Sequence, residues 1–244
     1  LELVISHELY HIVHLDKASG TPLSLRNIFG RFLLLFPNTL QPTWVIEGLA
    51  VNAESGGVPG YGRLGQSQFD GMMRAEASRG FRSLAEVNAE GRGFPLNRDY
   101  LYGSYFFLYL RSRYGQQVVD EFIERYSKNL VPFQLAETSK VTTGRTMDEL
   151  WVDYQDRLRA RFVPRAGPAE GEVLARAFSI SSPVLTASGE RWYIEHDGYT
   201  RPKLVRGGRK LREVEPDTRI APAAEGVLVS EVDIWRNYNL FYKL

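Results

Sequence analysis

The segment HELYHIVH, residues 7–14, holds three of the four histidines of the chain. If it forms a helix, His7 and His11 lie one turn apart on the same face, where two imidazoles can converge on one tetrahedral ion. Glu8 lies about 100° further round the helix, which suits a proton acceptor better than a third ligand. An ordinary amphipathic helix with incidental histidines is the alternative, so the identity of a third ligand decides between the two interpretations.

Two side chains are candidates for that third ligand. His14 lies on the same face, but two turns of rise, roughly 10 Å from His7, fit a compact ligand shell poorly, and we expect a packing or supporting role. Glu47 lies in the apolar segment WVIEGLA, residues 44–50, where a carboxylate needs a partner. Glu54, two helical turns beyond Glu47, is expected to accept an imidazole N–H from a ligating histidine. The alternative for this pair is an exposed acidic stripe.

The composition is typical of a globular protein. Of 244 residues, 43% are hydrophobic and 24% are charged, which argues against disorder. The net charge of +1, without a long run of one sign, argues against a nucleic-acid groove or a basic membrane patch. The longest apolar run, residues 32–36, is too short to span a bilayer. Cysteine is absent, so a metal ion must be held by histidines and carboxylates.

The chain divides into a helical part and a strand-rich part. Helical periodicity predicts helices over residues 3–15, 44–53, 100–114, 116–127 and 146–158, the last opened by a Thr146–Glu149 capping box. The Pro/Gly-rich segment 164–168 then indicates a linker. Short alternating runs after it predict strands at 182–186, 190–195, 203–206, 226–232 and 238–243. We therefore expect a helical portion at 1–163, a linker at 164–176 and a β-strand region at 177–244.

These motifs resemble the gluzincin metallopeptidases, in which His-Glu-x-x-His is completed by a glutamate from a following helix. Trp44, Glu47, Gly48 and Glu54 match the pattern of the M1 aminopeptidase and leukotriene A4 hydrolase group. In that group a tyrosine three residues before a glycine stabilises the tetrahedral intermediate, and Tyr100 occupies that position. Tyr102 and Tyr105 are nearby alternatives for this role. A tyrosine-rich helix is more often part of a core, so a purely structural role is the other alternative.

The resemblance has limits. Thirty-five residues separate His11 from Glu47, so we expect an additional loop or helix around residues 29–36. The chain begins at the catalytic helix, so we expect a fragment without the N-terminal sheet that would recognise a substrate's amino terminus. The broader peptidase MA-like gluzincins of bacterial proteins are therefore a better match than the aminopeptidases.

The strand-rich part has its own resemblance. Residues 182–194 resemble the paired strands of TolB-type β-propeller blades, although Ala187 and Ser188 stand where Pro-Asp is usual. Only about one and a half blades would be present, and a propeller closes by radial repetition. A small β-sandwich or an accessory sheet is the alternative.

The sequence thus predicts a mainly α, zincin-like (thermolysin-like) catalytic subdomain followed by the antiparallel β-meander of an incomplete β-propeller. The expected activity is zinc-dependent peptide hydrolysis, with Zn²⁺ on His7, His11 and Glu47, and with Glu8 and Tyr100 as catalytic residues. The expected partners are a peptide or protein substrate and, through the propeller region, another protein. The TolB resemblance favours the bacterial periplasm or the extracellular space. The alternatives are a non-catalytic, gluzincin-like binding module and a zinc hydrolase acting on a non-peptide bond.

Overall fold

The computed structural model describes residues 2–56, 60–89, 93–162, 172–235 and 239–243. The chain divides into two compact units, Leu1–Ala166 and Gly167–Leu244, which are described separately below. The predicted linker segment 164–168 lies outside the described residues.

All the secondary-structure elements in the described part of the first unit are helices. Its α-helices are α1 (Glu2–Asp16), α2 (Gly20–Phe29), α3 (Thr43–Glu54), α4 (Ser67–Arg79), α5 (Leu84–Asn88), α6 (Arg98–Tyr114), α7 (Gln116–Tyr126), α8 (Leu135–Thr143) and α9 (Met147–Arg161). Short 3₁₀ turns lie at Leu33–Leu35, Pro37–Leu40 and Arg63–Gly65. Of the described helices, none is both long and apolar enough to cross a membrane.

Five of these helices coincide with predicted segments, and four were not predicted. Helix α2 begins at Gly20, and it accommodates Pro22 because this residue lies in the first turn, where a missing N–H costs nothing. Helix α2 and two of the 3₁₀ turns fill the long interval before α3. Helix α4 escaped prediction because its buried stripe consists of Phe69, Met73 and the carboxylate Glu76. The predicted capping box that opens α9 is present, with Thr146 and Glu149 bonding each other's backbone N–H.

Helices α3 and α6 cross in backbone contact at the centre of the core. An added Cβ at Gly48 would lie 2.5 Å from Gly103 Cα, and one at Gly103 would lie 2.9 Å from Gly48 Cα. Neither position can therefore hold a side chain without separating the helices. Around this contact the buried Trp44 ring packs edge-on against Phe106, with ring centroids 5.2 Å apart. Since Glu47 and Tyr100 lie within one turn of the two glycines, the crossing fixes their relative position.

Helix α1 packs on α3 through a narrow face. Its buried residues are His7 and His14. The opposite face is apolar and exposed, with Val4, Ile5, Leu9, Ile12 and Val13 all more than two-fifths accessible. The burial of histidines beside exposed aliphatic residues is the reverse of the usual order, so the histidine side chains have a role that hydrophobicity does not explain.

The second unit is an antiparallel β-structure. One sheet has the order β1 (Ser179–Leu185), β2 (Arg191–His196), β3 (Lys203–Arg206) and β4 (Arg209–Glu213). A second has the order β5 (Arg219–Pro222), β6 (Val227–Trp235) and β7 (Asn239–Lys243). A small core contains Ile194, Leu204, Val214 and Ile220.

Two of these strands were not predicted from the sequence. Strand β4 is exposed at every position, so it carries no alternation, and β5 is four residues long and ends in proline. The described strands form neither a closed barrel nor a propeller, so the propeller remains a prediction.

Candidate metal centre

Three ligand atoms from two helices converge between α1 and α3. His7 Nε2 lies 3.0 Å from His11 Nε2 and 3.2 Å from Glu47 Oε2. His11 Nε2 lies 3.2 Å from the same carboxylate oxygen. One helical turn separates the two histidines, while packing of α1 on α3 brings in a carboxylate forty residues away from His7. Among the described residues, these side chains are the group that could hold a metal ion.

The spacing of the three atoms suits a small tetrahedral ion. Zinc binds histidine nitrogen and carboxylate oxygen at about 2.0–2.1 Å, so neighbouring ligand atoms in a regular tetrahedron lie roughly 3.3–3.4 Å apart. The three observed separations, 3.0–3.2 Å, are within a few tenths of an ångström of that value. Two imidazoles and one carboxylate also form a donor set that catalytic zinc sites use while keeping a fourth position open. The residues present therefore fit zinc.

Glu54 supports the first histidine. Its Oε2 lies 3.1 Å from His7 Nδ1, and its side chain is almost completely buried. When Nδ1 carries the ring proton, it donates to this carboxylate, and the Nε2 lone pair then faces Glu47 and His11. The carboxylate thus has the position of the outer partner that a metal-binding histidine usually has.

Arg63 completes this arrangement and was not predicted. Its Nε donates to Glu54 Oε1 at 2.7 Å, its Nη2 donates to Oε2 at 2.7 Å, and its backbone N–H donates to Oε1 at 3.2 Å. The hydrogen bond to Glu54, together with the charge of that carboxylate, raises the pKa of Arg63 despite partial burial. A single arginine in a Gly-rich loop gives no periodic or motif signal, so only the folded arrangement reveals it.

The second histidine is less completely supported. His11 Nδ1 is buried and makes no hydrogen bond within the described part of the chain. Its ring meets the His7 ring edge-on, with centroids 4.6 Å apart. The two imidazoles therefore differ: the carboxylate Glu54 contacts His7, whereas His11 is contacted by the His7 ring.

The structure also places Glu8 and His14. Glu8 is exposed on α1 directly after His7, and it has no hydrogen bond or ion pair with any residue that the structure describes. His14 is buried, lies outside the triad, and packs against Tyr10 with ring centroids 5.7 Å apart. Its backbone carbonyl accepts a hydrogen bond from Asn38 Nδ2 at 2.8 Å. His14 thus contributes to helix packing.

Of the three tyrosines at the start of α6, Tyr100 lies at the triad. Its ring stacks against His7 with centroids 6.1 Å apart, and its side chain lies near the Glu47 carboxylate. Burial, followed by the interaction with the charged Glu47, raises the pKa of Tyr100 to about 12, so the hydroxyl keeps its proton at neutral pH. Tyr102 instead donates to Glu76 at 2.7 Å, and Tyr105 donates to Asp70 at 2.6 Å.

No family model matches the chain, and neither a curated protein nor a solved structure matches it.

Proposed function

We propose that the first unit is a zinc-dependent metallopeptidase that hydrolyses peptide bonds. The observation that carries the proposal is the convergence of His7 Nε2, His11 Nε2 and Glu47 Oε2 to within 3.0–3.2 Å of one another. These three side chains would hold the ion. Zinc bound there would polarise a substrate carbonyl and lower the pKa of a water molecule in its open position.

Glu8 is the proposed proton carrier. It is exposed, so it is free to reach a reacting water beside the triad, and it follows a proposed ligand directly in α1. As the water oxygen attacks the carbonyl carbon, Glu8 accepts a proton from the water. When the C–N bond breaks, Glu8 transfers this proton to the leaving amine nitrogen, and the carboxylate is regenerated.

Tyr100 is the proposed donor to the oxyanion. Its ring stacks on His7 and its side chain interacts with Glu47, so the hydroxyl is close enough to the triad to reach a carbonyl oxygen bound beside the ion. A hydrogen bond that strengthens as negative charge develops on that oxygen stabilises the transition state more than the substrate. Loss of one such donor typically costs about 10²–10³-fold in turnover.

Metal content and cleavage test the proposal together. The purified chain is expected to bind about one zinc per molecule and to cleave members of a mixed peptide library, and a chelator should stop cleavage. Zinc binding without turnover of any peptide would contradict the peptidase proposal and favour a non-catalytic binding module. Absence of zinc binding would contradict the metal site itself.

Two variants with a matched control separate binding from chemistry. His11→Ala should lose most of the zinc affinity, because it removes a ligand. Glu8→Gln should retain zinc and lose nearly all turnover, because glutamine cannot accept the proton. Glu2→Gln, a substitution of the same kind at another exposed position of α1, should leave both properties unchanged. Full turnover in Glu8→Gln would exclude Glu8 as the proton carrier.

A further inference from the structure

The loop after α3 places the Arg63 guanidinium against three side chains of the proposed centre, Glu54, His7 and Tyr100. Arg63 holds both oxygens of Glu54 through the paired bonds from Nε and Nη2, each 2.7 Å long. The same Nη2 lies 2.8 Å from His7 Nδ1, where it donates if the ring proton is on Nε2, whereas Glu54 accepts from Nδ1 if the proton is there. The contact among guanidinium, carboxylate and imidazole therefore bears directly on the His7 tautomer. The guanidinium carbon also lies over the Tyr100 ring, 5.3 Å from its centroid.

The Glu54 carboxylate depends on this arginine. Its side chain is 1% exposed, whereas the Arg63 side chain is 30% exposed and reaches it from the solvent side. A buried carboxylate that loses its cationic partner is strongly destabilised and must turn towards water or take up a proton. Either change would remove the acceptor that orients His7.

The backbone of the loop is built for this contact. Gly62 has a φ of +63°, and an added Cβ there would lie 2.5 Å from Ser55 Cα at the end of α3. The next two backbone N–H groups are both bound to α3, since Arg63 N–H donates to Glu54 and Leu64 N–H donates to Ser55 Oγ at 3.2 Å. Only glycine allows this close return, so the position of Arg63 is determined by the backbone and not by the flexibility of a long side chain.

We infer that Arg63 is a positioning residue of the metal centre: it fixes Glu54 so that His7 presents Nε2 to the ion, and it holds the Tyr100 ring beside His7. The inference rests on the proposed metal site. It predicts that removal of Arg63 weakens metal binding although Arg63 is not a ligand. Loss of such an outer partner typically costs about 10–100-fold in metal affinity.

The experiment compares Arg63→Met and Arg63→Lys with Arg82→Met. Arg82 is a close structural match, because its side chain is 31% exposed and its Nε donates at 3.1 Å to Glu76, a carboxylate that is 0% exposed. Each variant is titrated with Zn²⁺ against a competing chelator, and its fold is checked by circular dichroism. Arg63→Met should bind zinc about 10–100-fold more weakly, whereas Arg82→Met should lose stability and keep the wild-type affinity.

Arg63→Lys distinguishes positioning from charge, and it remains informative if Arg63→Met does not fold. Lysine keeps the positive charge beside Glu54 but cannot form the planar two-point contact. We expect it to fold and to recover only part of the zinc affinity. Wild-type affinity in a folded Arg63→Lys or Arg63→Met protein would overturn the inference.

A measurement on metal-free protein separates this inference from the proposed function. The ¹⁵N shifts of the His7 imidazole report which ring nitrogen carries the proton, and they should differ between the wild type and the Arg63 variants. Unchanged His7 shifts in those variants would overturn the positioning role, whether or not zinc binds. A wild-type protein that binds no zinc, but whose His7 shifts respond to Arg63→Lys, would contradict the metal site alone.

Discussion

The contact between Gly48 and Gly103 predicts that Gly103→Ala is among the more damaging single-methyl additions to this chain. The new Cβ would lie 2.9 Å from Gly48 Cα and 3.0 Å from the Trp44 carbonyl carbon, with the Trp44 carbonyl oxygen closer still. Ordinary carbon–carbon contacts lie at about 3.5–4.0 Å, so α3 and α6 must separate by roughly 1 Å. All three neighbours are backbone atoms, and no side-chain rotation can relieve the overlap.

The expected cost is a net loss of about 2 kcal/mol or more in the free energy of unfolding. Overpacking of a core typically costs about 1–3 kcal/mol, with larger values where the neighbours cannot move, and the gain in helix propensity returns about 1 kcal/mol. Urea titration monitored by circular dichroism measures the change. A displacement near 1 Å would also change the spacing between Glu47 and Tyr100, so turnover should fall in the protein that remains folded.

Gly71→Ala is the matched control. Gly71 lies within α4 and is exposed, and an added Cβ there would meet nothing within 4 Å. The same substitution should therefore stabilise the protein by about 0.5–1 kcal/mol, through helix propensity alone. If Gly103→Ala were as stable as Gly71→Ala, the close crossing of α3 and α6 would be wrong.

Three further predictions concern the proposed centre and its supporting helix. Zinc at about 100 times its Kd should add about 2.7 kcal/mol of stability and raise Tm by about 5–10 °C in a thermal scan, whereas His11→Ala should show no such rise. Burial, aided by the charge of His11 and opposed by the nearby Gln41 side chain, lowers the pKa of His14 from 6.5 to about 4. The folded state favours the neutral His14 ring, so this contribution to the free energy of unfolding is complete above pH 6.5. It declines by up to about 3 kcal/mol as the pH falls to 4. In urea titrations, the free energy of unfolding of metal-free His14→Leu should therefore depend less on pH. Tyr100→Phe should keep zinc and lose about 10²–10³-fold in turnover, and wild-type turnover would exclude the hydroxyl as the oxyanion donor.

Much of the candidate site could be predicted from the sequence, because the spacing of residues along a helix determines which side chains share a face. His7 and His11 had to share a face if α1 formed, and Glu47 and Glu54 had to share one if α3 formed. The pairing of these two helices could not follow from periodicity alone. That pairing was predicted from the resemblance to the gluzincins. In the structure, Glu47 Oε2 lies 3.2 Å from His7 Nε2, and Glu54 Oε2 lies 3.1 Å from His7 Nδ1.

The features that were missed lack a local signal. Helix α4 presents Glu76 on its buried face, and strand β4 is exposed along its whole length, so neither shows a hydrophobic period. Arg63 acts through a loop that turns on Gly62, and turn geometry of this kind depends on what the loop meets in the fold. For His14 the sequence left a packing and a supporting role open, and the structure places its ring outside the triad and against Tyr10.

The glycine crossing of α3 and α6 has a consequence for how the site would respond to a substrate. Glu47 is joined directly to Gly48, and Tyr100 lies one turn before Gly103, so a backbone contact sets the spacing between the proposed ligand Glu47 and the nearby Tyr100. In a reaction at this site, Glu47 and Tyr100 would already be oriented towards the developing charge, so little reorganisation energy would be needed. Movement of the loop that carries Arg63 would then alter the orientation of His7, while the Glu47–Tyr100 pair would remain preorganised.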